Sequence, residues 1–361
     1  MEIRHRDMVY QAMIGQGLID TLGQTIPERF GSTRCAIVTD SNIAGLHADR
    51  VERSLTTAGF QPVRITIPDG EQAKTLAQVG TICDKMLAAG LDRHSMVIGL
   101  GGGVIGDISG FAAAIFQRGI PHLQIPTTLL AMVDSSIGGK TGVNTIAGKN
   151  LIGAIHPPVM VIDDIDVLNS LPGREFKQGF AEIIKHGIIA DAEMFEQLRA
   201  GDISHWRPND HNAERLGALV SRNVRIKSEI VGKDESDRTG DRAILNFGHT
   251  IGHAIEQAGN YAQFLHGEAI SLGIAAAARV SVKRAGLTSE AKHSIIDTLQ
   301  RFDLPTHLPA EVSRDQIMHA LRFDKKFEHG QIRFVVTPKI GSAYLSNEVT
   351  WADIAETVAA M

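Results

Sequence analysis

The first half of the chain alternates short apolar runs with amphipathic stretches. "RCAIVTDSN" (34–42) predicts a strand ending in polar turn residues, and "QPVRITIPDG" (61–70) a second strand with a Pro-Asp-Gly stop. Between them a helix-like segment carries Leu46, Val51 and Leu55. From Thr75 to Ala89 the apolar Leu76, Val79, Cys83, Met86 and Leu87 repeat the helical period. "SMVIGLGGG" (95–103) predicts an apolar strand running into glycines, and "HLQIPTT" (122–128) and "PVMVIDD" (158–164) two more strands. Strands alternating with helices predict a largely parallel sheet covered on both faces. Beyond Leu171 and Pro172 the texture changes. Helix formers dominate "EFKQGFAEIIKHGIIA" (175–190), "AERLGALVSRNVRIKSEIV" (213–231) and "ISLGIAAAARVSVKRAG" (270–286), and only "QIRFVVTPKIGSAYLS" (331–346) predicts a hairpin. The pattern therefore predicts an α/β N-terminal domain over residues 1–172 and a mainly α-helical domain over residues 173–361.

Length and composition agree with that division. A chain of 361 residues is comfortable as two domains, and 43% hydrophobic with 21% charged residues is the balance of an ordinary globular protein. A formal net charge of -5 argues against a nucleic-acid partner, which favours a basic surface, while leaving room for a local basic pocket. The two cysteines, Cys35 and Cys83, lie in apolar segments outside any C-x-x-C pair, so a reducing compartment is expected. The N-terminus "MEIRHRDMVYQ" lacks the apolar core of a signal peptide and no apolar run reaches membrane-spanning length, which predicts a cytoplasmic protein without a membrane partner.

Two places nominate chemistry. "GLGGGVIGD" carries the G-x-G-x-x-G spacing through Gly101, Gly103 and Gly106, after a strand and ahead of a helical stretch. Backbone N–H groups at such a turn can approach a pyrophosphate, and a tight strand–helix turn needs the same glycines. The acidic residue that usually follows about 20 positions later is missing from "IPHLQIPTT"; Asp40, at the end of the first strand, is the available acid. "SSIGGKTGVN" is not a P-loop, because Asp134 stands where the first glycine belongs, though Lys140, Lys149 and Asn150 lie in a glycine-rich setting that suits an anion.

The second place is "NFGHTIGHAIE" with "FLHGEAI". His249 and His253 lie one helical turn apart and His266 follows, so spacing alone nominates the pair for a shared metal ion. A third ligand must come from elsewhere, and Glu182 in "GFAEIIKHG" has the right setting; an ion pair with Lys185 would explain it equally well.

Together these stretches resemble the 3-dehydroquinate synthase family of the sugar-phosphate cyclase superfamily. The resemblance is carried by "DGEQAK" (69–74), "GGGVIGD" (101–107), "FQRG" (116–119), "IPTTLLAMVDSSIGGKTGVN" (125–144), "GKNLIGA" (148–154), "GFAEIIKHG" (179–187), "LNFGHTIGHAIE" (245–256), "HGEAI" (266–270) and "DKK" (324–326). It implies a Rossmann-like NAD-binding domain followed by a helical metal-binding domain, and a homodimer. It also implies conversion of 3-deoxy-D-arabino-heptulosonate 7-phosphate to 3-dehydroquinate and phosphate, a step of the shikimate pathway. A secondary alcohol is transiently oxidised, phosphate is eliminated, the ketone is reduced again and an aldol closure follows, with NAD unchanged at the end.

By the same resemblance Glu182, His249 and His266 bind a divalent metal, zinc or cobalt, and His253 becomes a substrate-side residue. Nucleotide contacts are implied for Asp40, Asn42, Asp69, Gly70, Glu71, Gln72, Lys74, Gly102, Gly103, Val104, Ile105, Gly106 and Asp107, and for Thr127, Thr128, Lys140, Lys149, Leu168 and Ser170. Substrate contacts are implied for Asp134, Lys140, Asn150, Lys185, Lys227, Arg242, Asn246, His253 and Lys325 or Lys326, with Arg118 reaching a neighbouring subunit. The chain departs from the family in "DESDRTGD", where Asp237 stands for the usual glutamate and one residue is added, and in Ser170, where threonine is usual. Keeping Arg242, Asn246 and His253 together favours a substrate carrying a carboxylate. Aminodehydroquinate synthases share this pattern, and alcohol dehydrogenases of the glycerol-dehydrogenase type share the two-domain plan.

Overall fold

A computed structural model describes residues 1–5, 8–26, 34–146, 148–208, 212–234, 240–322 and 332–361. The first half carries strands β1 (Glu2–His5), β2 (Met8–Gly15) and β3 (Arg34–Asp40), helix α1 (Asp49–Thr57), strand β4 (Gln61–Ile67), helix α2 (Leu76–Ala88) and strand β5 (Met96–Gly101). Helix α3 (Gly103–Ile115) and strands β6 (His122–Pro126), β7 (Lys140–Thr145), β8 (Gly148–Ile155) and β9 (Met160–Asp164) complete it. Helices α4 (Gly173–Ala190), α5 (Ala192–Arg199), α6 (Ala213–Lys233), α7 (His249–Ala258), α8 (His266–Arg284), α9 (Ser289–Arg301) and α10 (Arg314–Arg322) follow, then the hairpin β10 (Phe334–Lys339) and β11 (Ser342–Ser346) and helix α11 (Trp351–Ala359). Among the described residues no helix is long and apolar enough to cross a membrane.

Two compact units result. One is Met1–Pro172 with Pro208–Ser228, the other Gly173–Arg207 with Glu229–Met361. The boundary expected at residue 172 thus needs a correction: most of α6 returns to the first unit. Its Leu216, Val220 and Val224 are buried, and a Cβ on Gly217 would touch Ile165 and Ile14, so an apolar helix face finds its cover there.

In the first unit seven strands form one sheet in the order β1-β2-β9-β6-β5-β3-β4. All neighbours pair parallel except β1 with β2. Strands β5, β6 and β9 are buried along their whole length, as central parallel strands covered on both faces are. The edge strand β4 is only half-buried. The sheet order reverses between β3 and β5, since the chain passes from β3 outward to β4 and then returns across β3 to build the other side. Asp40 and the glycine turn after Gly101 end these adjacent strands at the same edge. Two elements carry no strand expectation from the sequence: the N-terminal hairpin β1–β2, and the hairpin β7–β8 formed by the glycine-rich segment.

The second unit is built around α4 and α8. Close approach between helices is bought by missing side chains: a Cβ on Gly273 would lie 2.0 Å from the Gly248 carbonyl oxygen, and one on Gly267 2.1 Å from that of Gln178. The first contact seats α8 against α7 and the second seats its N-terminus against α4. Three histidine- and glutamate-bearing elements converge for that reason.

Candidate active site

In the second unit Glu182 and Lys185 lie one turn apart on α4, both essentially without solvent exposure, and form an ion pair. The other face of the carboxylate is shared by two imidazoles. Glu182 Oε1 lies 3.4 Å from His249 Nε2 and 3.3 Å from His266 Nε2. Neither Glu182 oxygen receives a hydrogen bond of standard geometry among the described residues. A buried carboxylate and two ring nitrogens within 4.8 Å of one another are a donor set for a divalent cation.

The far sides of the rings support that use. His249 Nδ1 donates to the Phe247 carbonyl oxygen at 3.2 Å, and His266 Nδ1 donates to Glu256 Oε2 at 3.4 Å. Each bond turns the ring so that Nε2 points toward Glu182, the arrangement by which metal-binding histidines are oriented. Burial would raise the Glu182 carboxyl, but Lys185 and the two histidines win and hold it well below its ordinary value. Burial would lower His266, yet the Glu182 and Glu256 carboxylates push it up to about 10. Desolvation dominates at His249 and pulls it down.

The pairing of His249 with His253 suggested by helical spacing is corrected here. The two rings touch edge to face with centroids 5.2 Å apart, but His253 is exposed and stands outside the group made by Glu182, His249 and His266. It belongs to a second possible donor group with Glu256 and His266. Arg242 is buried and Asn246 closes a short helical turn over Asp241–Asn246. Asp237, Lys325 and Lys326 lie outside the described residues.

The first unit gathers the other residues. The turn after β5 places Gly102 at the N-cap of α3, whose first N–H groups have no partner inside the helix. A ligand phosphate suits that end of the helix, and the reversal of strand order beside it is where open α/β sheets take ligands. A Cβ on Gly101 would lie 2.7 Å from that of Ile105, so this glycine also serves helix–strand packing. Lys74, buried, donates to Asp107 Oδ2 at 2.5 Å, and burial still holds the Asp107 carboxyl above its ordinary value. Lys149 Nζ stands 3.9 Å from Glu71 Oε1. Lys227 donates to Asp134 twice, to Oδ1 at 2.6 Å and to the main-chain oxygen at 2.7 Å.

Asp40 accepts from the N–H groups of Asn42 and Ile43, both at 2.9 Å, and Asp69 accepts from Ser41 at 2.8 Å, which joins the ends of β3 and β4. Thr127 and Leu168 are buried, and Ser170 shares a 2.8 Å hydrogen bond with His47. Lys140 and Arg118 are exposed.

Sequence reasoning passed over two residues. Glu256 closes "GHAIE" three positions after His253, a spacing that puts it on the same helix face, but nothing local says that His266 will meet it. Asn144, between the "GGK" and "GKN" segments, donates from Nδ2 to Glu71 Oε1 at 2.7 Å and accepts from the Asn150 N–H at 3.0 Å.

Comparison with known proteins adds an independent line. Residues 64–178 match the model of the 3-dehydroquinate synthase N-terminal domain and residues 179–327 that of the C-terminal domain. A 3-dehydroquinate synthase of Bordetella pertussis is 43% identical, over 96% of this chain and 94% of its own. One of Mesorhizobium japonicum is 40% identical, over 98% and 94%. Among solved structures, the 2-epi-5-epi-valiolone synthase ValA of Streptomyces hygroscopicus subsp. jinggangensis, with NAD+ and Zn2+ bound, is 28% identical with a TM-score of 0.88, over 99% of this chain and 98% of that one.

Proposed function

The chain belongs to the 3-dehydroquinate synthase family, and from that premise we propose that it converts 3-deoxy-D-arabino-heptulosonate 7-phosphate to 3-dehydroquinate and phosphate using NAD and one divalent cation. The observation that carries the reading is the convergence of Glu182, His249 and His266 around one point with Lys185 beside them. Bound there, a cation would polarise a substrate oxygen, and NAD in the first unit would accept and return a hydride.

The chain's own residues supply the rest. Glu182 offers a carboxylate kept ionised by its neighbours, so it is ready to ligate without first losing a proton. The glycine turn and Lys74 would hold the nucleotide, the turn offering the free backbone N–H donors at the start of α3 to phosphate. Lys140, Lys185, Lys227, Arg242 and Asn150 bind the substrate's phosphate and carboxylate; planar Arg242 suits a carboxylate through two parallel N–H donors. His253, exposed beside His249, can hold or give up a proton at a ring nitrogen facing the substrate.

A homodimer belongs to the same proposal. Hairpin β7–β8 leaves Ile146, Leu151, Ile152 and Ile155 exposed, an apolar edge suited to a second copy of the chain. Light scattering that finds a monomer at micromolar concentration removes that part.

The activity is tested by following phosphate release from the heptulosonate phosphate, with and without a chelator, while absorbance at 340 nm is watched. Phosphate released with no net NADH, and abolished by the chelator, is expected. Accumulating NADH would instead indicate an alcohol dehydrogenase.

A further inference from the structure

We propose that Asn144 is a positioning residue that ties the nucleotide-facing turn Glu71–Lys74 to the substrate-facing Asn150, so that both contact sets form one frame within the first unit. This rests on the NAD and substrate roles proposed above for those two segments.

Strands β7 and β8 pair regularly from Lys140↔Ile155 to Val143↔Ile152, and the register then shifts before Thr145↔Gly148. Across that shift β7 advances by Asn144 alone while β8 advances by Lys149, Asn150 and Leu151, so the extra residues bulge out of β8 opposite Asn144. A bulge disrupts the ladder locally and leaves the groups beside it to find other partners. The freed main-chain N–H of Asn144 donates instead to the Lys74 carbonyl oxygen at 2.9 Å.

The side chain completes the bridge in both directions. Its amide nitrogen gives a proton to Glu71 Oε1 at 2.7 Å, while its amide oxygen takes one from the Asn150 N–H at 3.0 Å. Only one orientation of the amide satisfies both neighbours, since a flipped group would set its carbonyl against a carboxylate and its NH2 against an N–H. Asn150 is held at φ 55°, a left-handed conformation that asparagine tolerates but that must be supported by its surroundings. The bond from Asn144 gives that support. Glu71, for its part, is fixed beside Lys149, and Lys74 is fixed toward Asp107.

Three bonds at one residue therefore fix three others, Glu71, Lys74 and Asn150. None of them requires Asn144 to touch NAD or substrate. Losing them should loosen both contact sets together, so that binding suffers more than the chemical step.

The test uses the full-length protein with Asn144→Ala, Glu71→Ala and the double variant. Isothermal titration gives the NAD affinity, and steady-state kinetics give kcat and KM for the heptulosonate phosphate. For N144A, NAD affinity is expected to fall about tenfold, as for loss of one hydrogen bond to a charged group, with KM raised by a similar factor and kcat within about threefold. Adding N144A to E71A should then weaken NAD binding by much less than tenfold, because the shared bond is already gone. Should N144A fail to fold, N144S is measured in its place. Unchanged NAD affinity and KM in the variant, or a loss confined to melting temperature, would overturn the proposal while leaving the activity standing. Wild-type protein that binds no NAD would remove the functional reading itself, and this inference with it.

Discussion

The two candidate sites are built from different materials. The first unit presents its proposed nucleotide site largely as backbone: the start of α3, a run of glycines, and strand ends set side by side by the sheet order. The second unit presents its candidate metal site as side chains, all charged or titratable, buried on α4 and α7 and half-buried on α8. A backbone site tolerates changes of side chain but not of chain path. A site of buried charges has no such tolerance, because removing one partner strands the others.

The sharpest way to break this contrast is Gly267→Ala. The added methyl would lie 2.1 Å from a carbonyl oxygen of α4, so the N-terminus of α8 must shift and carry His266 with it. Metal content should fall to near zero and activity by about 10³-fold, the order of a lost catalytic electrostatic group, while NAD titration stays near the wild-type value. Retained stoichiometric metal would show that helix approach does not set the site.

Glu256→Gln sharpens the same point one shell further out. Replacing the carboxylate behind His266 should weaken cation binding about 10- to 100-fold in chelator competition. It should also alter the visible spectrum of the cobalt-loaded protein. An unchanged affinity would mean that Glu256 serves only packing.

On the backbone side the expected effect is small. Val104→Ala shortens a half-buried side chain packed on the core where the ligand is proposed to meet N–H groups instead, so NAD affinity should stay within about threefold. A tenfold loss would make this site as dependent on side chains as the metal cluster.

The smallest effect concerns stability. Neither oxygen of the fully buried Asp163 on β9 has a hydrogen-bond partner among the described residues, and burial pushes its carboxyl well above the ordinary value. The folded state therefore keeps the proton while the unfolded chain releases it above pH about 4. Stability is lost as pH rises from there toward the folded value, at up to about 1.4 kcal/mol per pH unit. Asp163→Asn removes the titration, so its melting temperature should gain on wild type more at pH 8 than at pH 5. A constant difference between the two would show that the carboxyl does not hold its proton in the fold.

How far each site could be read from the chain follows from the same contrast. The glycine turn is a local pattern, and its position between an apolar strand and a helix is visible in "SMVIGLGGGVIGD". The metal cluster is not local. Spacing put His249 and His253 on one helix face, which is a statement about α7 alone; it could not say which face would meet Glu182. The resemblance to a family supplied that choice, and the contacts of Gly267 and Gly273 give the physical reason for it. Glu256 and Asn144 lay in quoted motifs without a role, because each acts on a partner that only folding brings near.

By itself the sequence determined the alternation of strands and helices, the change of texture at residue 172, the cystine-free character of the core, and the glycine turn. Those are properties of period and composition, which every stretch of chain carries locally. Only the tertiary structure decided that α6 returns to the first unit, that the hairpin β7–β8 bulges opposite Asn144, and that a carboxylate on one helix faces imidazoles from two others. Such facts depend on which apolar faces find cover and where a missing side chain lets two backbones meet, and no window along the chain contains both partners.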